Sequence, residues 1–449
     1  MALSAEIKKD FDVLLKSTLI EAKARQSGFV KRKSKLTGSR FTNLLVFSNG
    51  NLAQTSLLGM CQDFEYSQGG LLAKQSLDGR FNSCAVVFLK LLMEEVLSRH
   101  VPSDSFKNLL PVCNTIRIKD ATSFQLPEDL QDVYPGSGGK TSKACMKIQF
   151  EYDLRSGKIL ELSVGPYTTS DLTNSYQTIE SIHENDLIIR DLGYIGLDFL
   201  EKVENRSAFY LNRIKSNISV WTVDKTNCVV ALDLAKIEKQ MRESKINTRE
   251  FLVCLGNDKK VKCRLIVECL PEEVKAEKLR KANRAAQREG RQLGKDTIAR
   301  VGMNLFVTNM KEQDIPKELV WSLYRLRWQI ELVFKVWKSI ASVDKIKKAK
   351  RERIECHLYG KLLWVLLGWN IYWKITSHIH DRTKAVSFNK MMKNLRKFCD
   401  HLKTKALIKV DGVGFSIQRF VENVLKNCMI EKRKGKLSSI DVIIRILDI

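Results

Sequence analysis

The sequence predicts an α/β chain: a mixed-sheet core that carries a β-rich insertion and lies between N- and C-terminal helical regions. Three observations lead there. Apolar residues recur with a helical period through residues 1–105, and an alternating period of two takes over near residue 110. From there the order is three strands, a helix, a strand, a helix and a strand.

The helical region begins with residues 4–23, passes through a basic connector (Lys31, Arg32, Lys33, Lys35), and continues over 41–47, 54–64 and 84–97. Residues 56–81 read either as a helix-turn-helix or as plain helical packing. In the first case Gly69-Gly70 make the turn, and Lys74, Gln75 and Arg80 lie on the second helix. Residues 112–120 (VCNTIRIKD) alternate as a strand, 143–154 as a second and 158–164 as a third, with Ser156-Gly157 turning between the last two. A helix over 173–183 leads to the short apolar run 187–191 (LIIRD), which suits a strand covered on both faces. Helix 196–205 and strand 207–215 follow. An antiparallel meander continued by parallel strands through helical crossovers is the ribonuclease-H-like order.

Residues 216–309 interrupt that order with strand candidates at 251–255 and 261–270, a charged helix over 272–291 and a closing strand over 304–308. A long helix spans about 315–340, a basic stretch covers 345–353, and the remainder is helical. The predicted division is a helical region 1–105, core 106–215, insertion 216–309, a core helix within 310–345 and a helical C-terminal region 346–449.

Lys and Arg number 76 against 51 Asp and Glu, a net charge of +25. Such a surplus repels itself and points to a polyanionic partner. A basic membrane-surface protein would show an amphipathic or lipidated anchor, and small-molecule metabolism gives no reason for the charge. The opening MALSAEIKKDFDVLL carries acids early and does not read as a signal peptide. The longest apolar stretch, 362–373, falls short of the roughly 20 residues a membrane span needs, and reads as a buried or partner-facing helix. Eleven cysteines without Cys-x-x-Cys spacing argue for a reducing compartment and against a disulfide framework or a zinc site. The expectation is a cytoplasmic, nucleoid-associated protein that faces nucleic acid.

The segment WSLYRLRWQIELVFKVWK, from Trp321 to Lys338, is the most informative. On a straight helix Tyr324, Arg327, Glu331 and Lys338 fall within about 60° of arc, on one stripe roughly 21 Å long. One acid, two bases and a tyrosine in line suit a metal-bound phosphodiester with further phosphates on either side. By helix geometry alone, a solvated face with an internal Glu331–Lys335 pair suits them as well.

Tyr324-x2-Arg327-x3-Glu331-x6-Lys338 matches in full the Tyr-Arg-Glu-Lys signature of the insertion-sequence-four group of DDE transposases. RIKDATSFQLP, with Asp120, resembles the group's first-aspartate block, and LIIRDLGY, with Asp191, resembles its second. The gaps from Asp120 to Asp191 and on to Glu331 are 71 and 140 residues, and the longer holds the β-rich insertion this group places there. The resemblance covers residues 1–350 and is firm across 115–340.

It implies an enzyme that binds the terminal inverted repeats of its element, cleaves at the ends and joins them to target DNA. Two divalent ions supply an activated oxygen nucleophile and a stabilised leaving oxygen for such chemistry, and hard cations want carboxylates. The resemblance assigns Asp120 as the ligand shared by two Mg2+ ions, with Asp191 and Glu331 holding one each and Mn2+ substituting. Tyr324, Arg327 and Lys338 would hold phosphates near the cleaved end of the element, with Arg327 offering bidentate geometry. Trp328 either stacks on an unstacked base or belongs to the core. Double-stranded DNA is the expected partner, and a homodimer or larger species the expected form on it, because two ends must be joined. Residues 362–373 and the C-terminal region are candidate contacts, or pack within one subunit. Relatives that cut through a DNA hairpin tend to have Trp at about the place where this chain has Met303-Asn304, so the resemblance implies excision but leaves the hairpin route open.

The run GSGGKT at 136–141 resembles part of a phosphate-binding loop, but Tyr134 stands where glycine is needed and Pro135 where a strand should lead in. No nucleotide is expected. The alternatives are a ribonuclease-H-fold nuclease that cuts without joining, and a domesticated DNA-binding protein, against which the three intact acids weigh.

Overall fold

The strands form where the alternating runs stand. β1 (Thr115–Gln125), β2 (Cys145–Asp153) and β3 (Ile159–Pro166) make an antiparallel meander. Gly157 turns the chain between β2 and β3 at φ +72°, and a Cβ there would sit 2.2 Å from the Trp373 ring. Only glycine fits that turn beneath the long helix described below. The computed structural model describes residues 2–430 apart from 16, 33, 48–53, 99–108, 139–141, 224–227, 259, 380, 382–383 and 407–412. Part of the glycine-rich run at 136–141 therefore lies outside the described residues, and the rest sits in the connection from β1 to β2.

β4 (Asp186–Arg190) runs parallel to β1, and β5 (Phe209–Arg213) parallel to β4. The insertion then continues the same sheet. β10 (Met303–Thr308) pairs antiparallel with β5, and β9 (Val261–Cys269), β8 (Thr248–Leu255), β6 (Val220–Val223) and β7 (Val229–Ala231) extend from it. Among the described residues the result is one ten-stranded sheet in the order β3-β2-β1-β4-β5-β10-β9-β8-β6-β7.

One face of the core strands is apolar. Phe150 of β2 meets Trp337 at 5.0 Å and Trp369 at 5.6 Å, which seats the helices Gln329–Ser339 and Arg351–Ser377 against it. The other face carries ions. Glu151 accepts two hydrogen bonds from Arg117, at 3.2 and 3.0 Å, and one from Arg190 at 2.9 Å. Lys119 lies 4.0 Å from the same carboxylate and pairs with Glu161, and Arg117 also donates to Asp186 at 3.1 Å. Because side chains alternate, the neighbours Ile116, Ile118 and Asp120 point to the opposite, apolar face.

The helix Arg351–Ser377 runs between the sheet and the N-terminal helices. Gly360 lets it approach closely, since a Cβ there would lie 2.8 Å from that of Leu45. The apolar run at 362–373 is covered by this chain itself and buried almost throughout, so it is not available as a contact between subunits. Here the expected alternative of packing within one subunit holds.

At the N-terminus, helices Leu57–Gln68 and Lys74–Arg80 are joined through Gly69 and Gly70, both at positive φ, with Lys74 and Gln75 exposed. Arg80 differs from the expectation. Its guanidinium lies 4.0 Å over the Phe29 ring and donates to Leu36 O, so it serves packing rather than an outer surface. The first strand also differs: it runs five residues beyond Asp120, because β2 pairs with it as far as Gln125.

Burial alone would raise the Glu151 pKa, but Arg190, Arg117 and Lys119 hold its carboxyl well below the ordinary carboxylate range. A depressed pKa contributes stability that is complete above the unfolded value and lost as pH falls below it. Glu151→Ala should cost about 3–5 kcal/mol, since three cations lose their shared anion. Urea unfolding at pH 7 checks this, and the loss should shrink when both proteins are compared at acid pH.

Candidate active site

The parallel ladder between β1 and β4 runs from Thr115 opposite Asp186 to Lys119 opposite Arg190. Asp120 and Asp191 are the next residue on each side, so both acids stand at the end of that ladder. Asp191 has extended backbone ahead of the short turn Leu192–Tyr194, and its side chain makes no capping hydrogen bond to it. A mere capping role therefore fails for Asp191, and Asp120 lies within a strand.

The third acid comes from a broken helix. The predicted 315–340 helix is Lys317–Arg325 and Gln329–Ser339, joined by a 3-10 turn over Leu326–Trp328. Such a turn advances about 120° per residue instead of 100°, so the straight stripe does not hold at Arg327 and Trp328. The signature residues nevertheless meet the apolar face of the sheet. Tyr324 is buried with its ring 5.1 Å from Phe306. Lys338 reaches β1 three residues past Asp120 and donates to Ser123 O at 3.1 Å.

Arg327 joins the acids. Its Nη1 donates to Asp120 Oδ2 at 3.2 Å, across 207 residues of chain, and its Nη2 to Glu331 Oε1 at 2.9 Å. Arg327 is thus in contact with two of the three acids. Trp328 is 54% exposed, and its indole N–H donates to Glu331 Oε2. It is not a core tryptophan.

Burial, with the charges of Asp191 and Glu331, pushes the Asp120 carboxyl up to about 6, against the pull of the Ala121 N–H and Arg327. Burial alone would lower the Arg327 pKa, but Tyr324, Asp191 and Asp120 reverse this and keep the guanidinium charged. The buried Tyr324 hydroxyl forms no well-directed hydrogen bond, although that guanidinium lies beside it. Burial also raises the Tyr324 pKa, which keeps the phenol a donor.

Three carboxylates that act on one another around a shared cation are a donor set suited to a hard divalent ion. Among the described residues, no three His, Cys, Asp or Glu already converge as a metal-holding group. In the arrangement seen, Arg327 supplies the positive charge. Sequence reasoning missed this bridge and the Trp328 hydrogen bond; an arginine four residues before an acid was the only signal of either. Met303 is buried in the insertion's core, and Asn304 donates to Glu268 at 2.9 Å.

A family profile described as the transposase DDE domain matches residues 112–367, more than half of the chain. The chain belongs to the DDE transposases. It is therefore an enzyme that acts on DNA. It is 34% identical to the transposase for insertion sequence element IS231E of Bacillus thuringiensis subsp. finitimus, over 82% of this chain and 80% of that protein. The transposase for element IS231D of the same subspecies is 30% identical over 94% of this chain and 90% of its own. That for IS1151 of Clostridium perfringens is 29% identical over 95% and 91%. These likenesses extend well beyond the catalytic segment, into both helical regions of this DDE transposase. Among its described residues no helix is long and apolar enough to cross a membrane.

A raised Asp120 pKa means the folded protein binds that proton more tightly than the unfolded chain, so this group erodes stability as pH rises through about 4 to 6. Without divalent metal, Asp120→Asn should stabilise the protein at pH 7 by on the order of 2 kcal/mol. Thermal unfolding in chelator at pH 5 and pH 7 checks this, with the gain expected chiefly at the higher pH.

Proposed function

We propose that this transposase binds the terminal inverted repeats of its element, cleaves at the ends and joins them to target DNA through a ribonuclease-H-like core. The observation that carries the reading is that Asp120 and Asp191 stand at the end of one parallel ladder, while Arg327 bonds both Asp120 and Glu331. The strand order β3-β2-β1-β4-β5, antiparallel then parallel, supports the assignment of the core.

Asp120, Asp191 and Glu331 would hold Mg2+, or Mn2+ in its place, as two ions with Asp120 shared. When bound, the ions supply an activated water or 3′-hydroxyl and a stabilised leaving oxygen. The rest falls to the chain. Arg327 offers a planar fork to a phosphate near the cleaved end, and the protonated Tyr324 phenol donates beside it. Lys338 holds its end of the helix to β1 and adds positive charge there. Trp328, exposed next to Glu331, presents a ring on which an unstacked base can lie.

Residues 1–105 are the proposed reader of the terminal repeats, with Lys74 and Gln75 on the exposed second helix. Residues 106–215 with 310–345 are the proposed core, 216–309 the proposed insertion and 346–449 the proposed C-terminal region. The working species on DNA is a homodimer or larger, and the location cytoplasmic and nucleoid-associated.

Asp120→Ala, Asp191→Ala and Glu331→Ala should each lower magnesium-dependent nicking and joining of end DNA by orders of magnitude, while metal-free binding is kept. Nicking at the wild-type rate by any of them would remove that residue from the site. Cleavage without transfer of the 3′-hydroxyl end to a second duplex would favour the nuclease reading. Affinity for end DNA should fall about tenfold or more per doubling of salt if several phosphates are neutralised. A fragment lacking residues 1–105 should lose preference for its own ends over random duplex in competition binding.

A further inference from the structure

We propose that Arg327 is the internal cation of the metal-free site, and that a DNA phosphate draws it away from Asp120 and Glu331, so that DNA and divalent metal bind cooperatively. The inference rests on the metal-holding role proposed for the three acids and adds to it a control on when they are free.

Every carboxylate oxygen of Glu331 is engaged: Oε1 accepts from Arg327 at 2.9 Å and Oε2 from the Trp328 indole. Asp120 shares the same guanidinium at 3.2 Å, while its other oxygen accepts from the Ala121 N–H at 2.8 Å. Both acids already face the guanidinium charge, and a second cation brought to them would be repelled by it. Among the described residues no metal-holding group stands ready while Arg327 occupies this place.

The hold on Arg327 is of a kind that a phosphate can displace. The fork is split, with one N–H to each of two carboxylates, whereas a phosphate accepts two N–H groups in parallel. Arg327 is also near the surface, its side chain 14% accessible, and Glu331 is 42% accessible, so a phosphate can approach. The buried Tyr324 hydroxyl beside the guanidinium, without a well-directed bond of its own, supplies a further donor at that place.

Once the fork turns to a phosphate, Asp120 and Glu331 lose the guanidinium that faced them, and the affinity of the acids for a divalent cation rises. Linkage makes the effect reciprocal: the cation must strengthen DNA binding by the same factor. Free of DNA, the enzyme holds metal poorly and its acids stay neutralised by its own side chain.

Mn2+ binding to the full chain, followed by the electron paramagnetic resonance of the free ion, tests this. The arms are wild type, Arg327→Gln and Asp120→Asn, each with and without a duplex carrying the element's end. Wild type should gain about tenfold or more in Mn2+ affinity on adding the duplex. Arg327→Gln should bind Mn2+ without DNA about as tightly as wild type does with it, and gain little more. Weak, wild-type-like binding by DNA-free Arg327→Gln would overturn the proposal. Asp120→Asn binding Mn2+ as wild type does with DNA would instead overturn the metal-site reading. Should Arg327→Gln not fold, Trp328→Phe frees only Glu331 Oε2 and should still raise DNA-free Mn2+ affinity, by a smaller factor; no rise would count against the control.

Discussion

The Glu151 carboxylate, wholly inside the molecule, ties three strands together. From β2 it takes Arg117 of the neighbouring β1 in a bidentate grip and reaches past β1 to Arg190 of β4 in a single bond. Moving β4 by one residue along β1 would send Arg190 to the opposite face and strand it in the apolar layer. The ion cluster therefore sets a register that the apolar residues alone would specify less sharply. Asp120 and Asp191 follow directly on Lys119 and Arg190, the last pair of that ladder. The acids meet on one face because their neighbours are locked on the other.

The candidate site thus has two supports of different kinds. The strand acids rest on buried, fully neutralised charges, where a missing partner is expensive. Glu331 rests on Arg327 and Trp328, both within reach of solvent, where pairing is weaker and exchangeable. Both lie within one helical turn of Glu331, and the 3-10 turn at Leu326–Trp328 divides the helix there into Lys317–Arg325 and Gln329–Ser339. A rigid half and a yielding half in one site suit chemistry that must admit a long polyanion and then hold it still.

Much of this was legible in the sequence, for identifiable reasons. β2, β3, β4, β9 and β10 lie close to the alternating or apolar runs, and the turn at Ser156-Gly157 is local chemistry. The signature residues were legible as a set because spacing survives even where helix geometry does not. The extension of β1 past Asp120 was hidden, since ATSFQ alternates poorly and its strand character comes from pairing with β2. The 3-10 turn was hidden too, because LRW carries no proline or glycine to announce it. Arg327 on Asp120 is a contact across 207 residues, which no local pattern encodes. The helix Arg351–Ser377 shows an apolar run of twelve residues, but the burial of Arg353, Glu355, His357 and Lys361 beside it depends on partners from the N-terminal region and the sheet.

The seam between β5 and β10 has a further meaning for the order in which this molecule comes into being. Glu331 follows the whole insertion in the chain, and the strand that leads to its helix is zipped between β5 and β9. A nascent chain that has made both aspartates still lacks the strand on which the last acid's helix is hung. Non-local pairing of this kind forms late and slowly. The acids can therefore assemble only after the insertion has folded, and a truncated or half-made chain carries two acids of the three on an unfinished sheet.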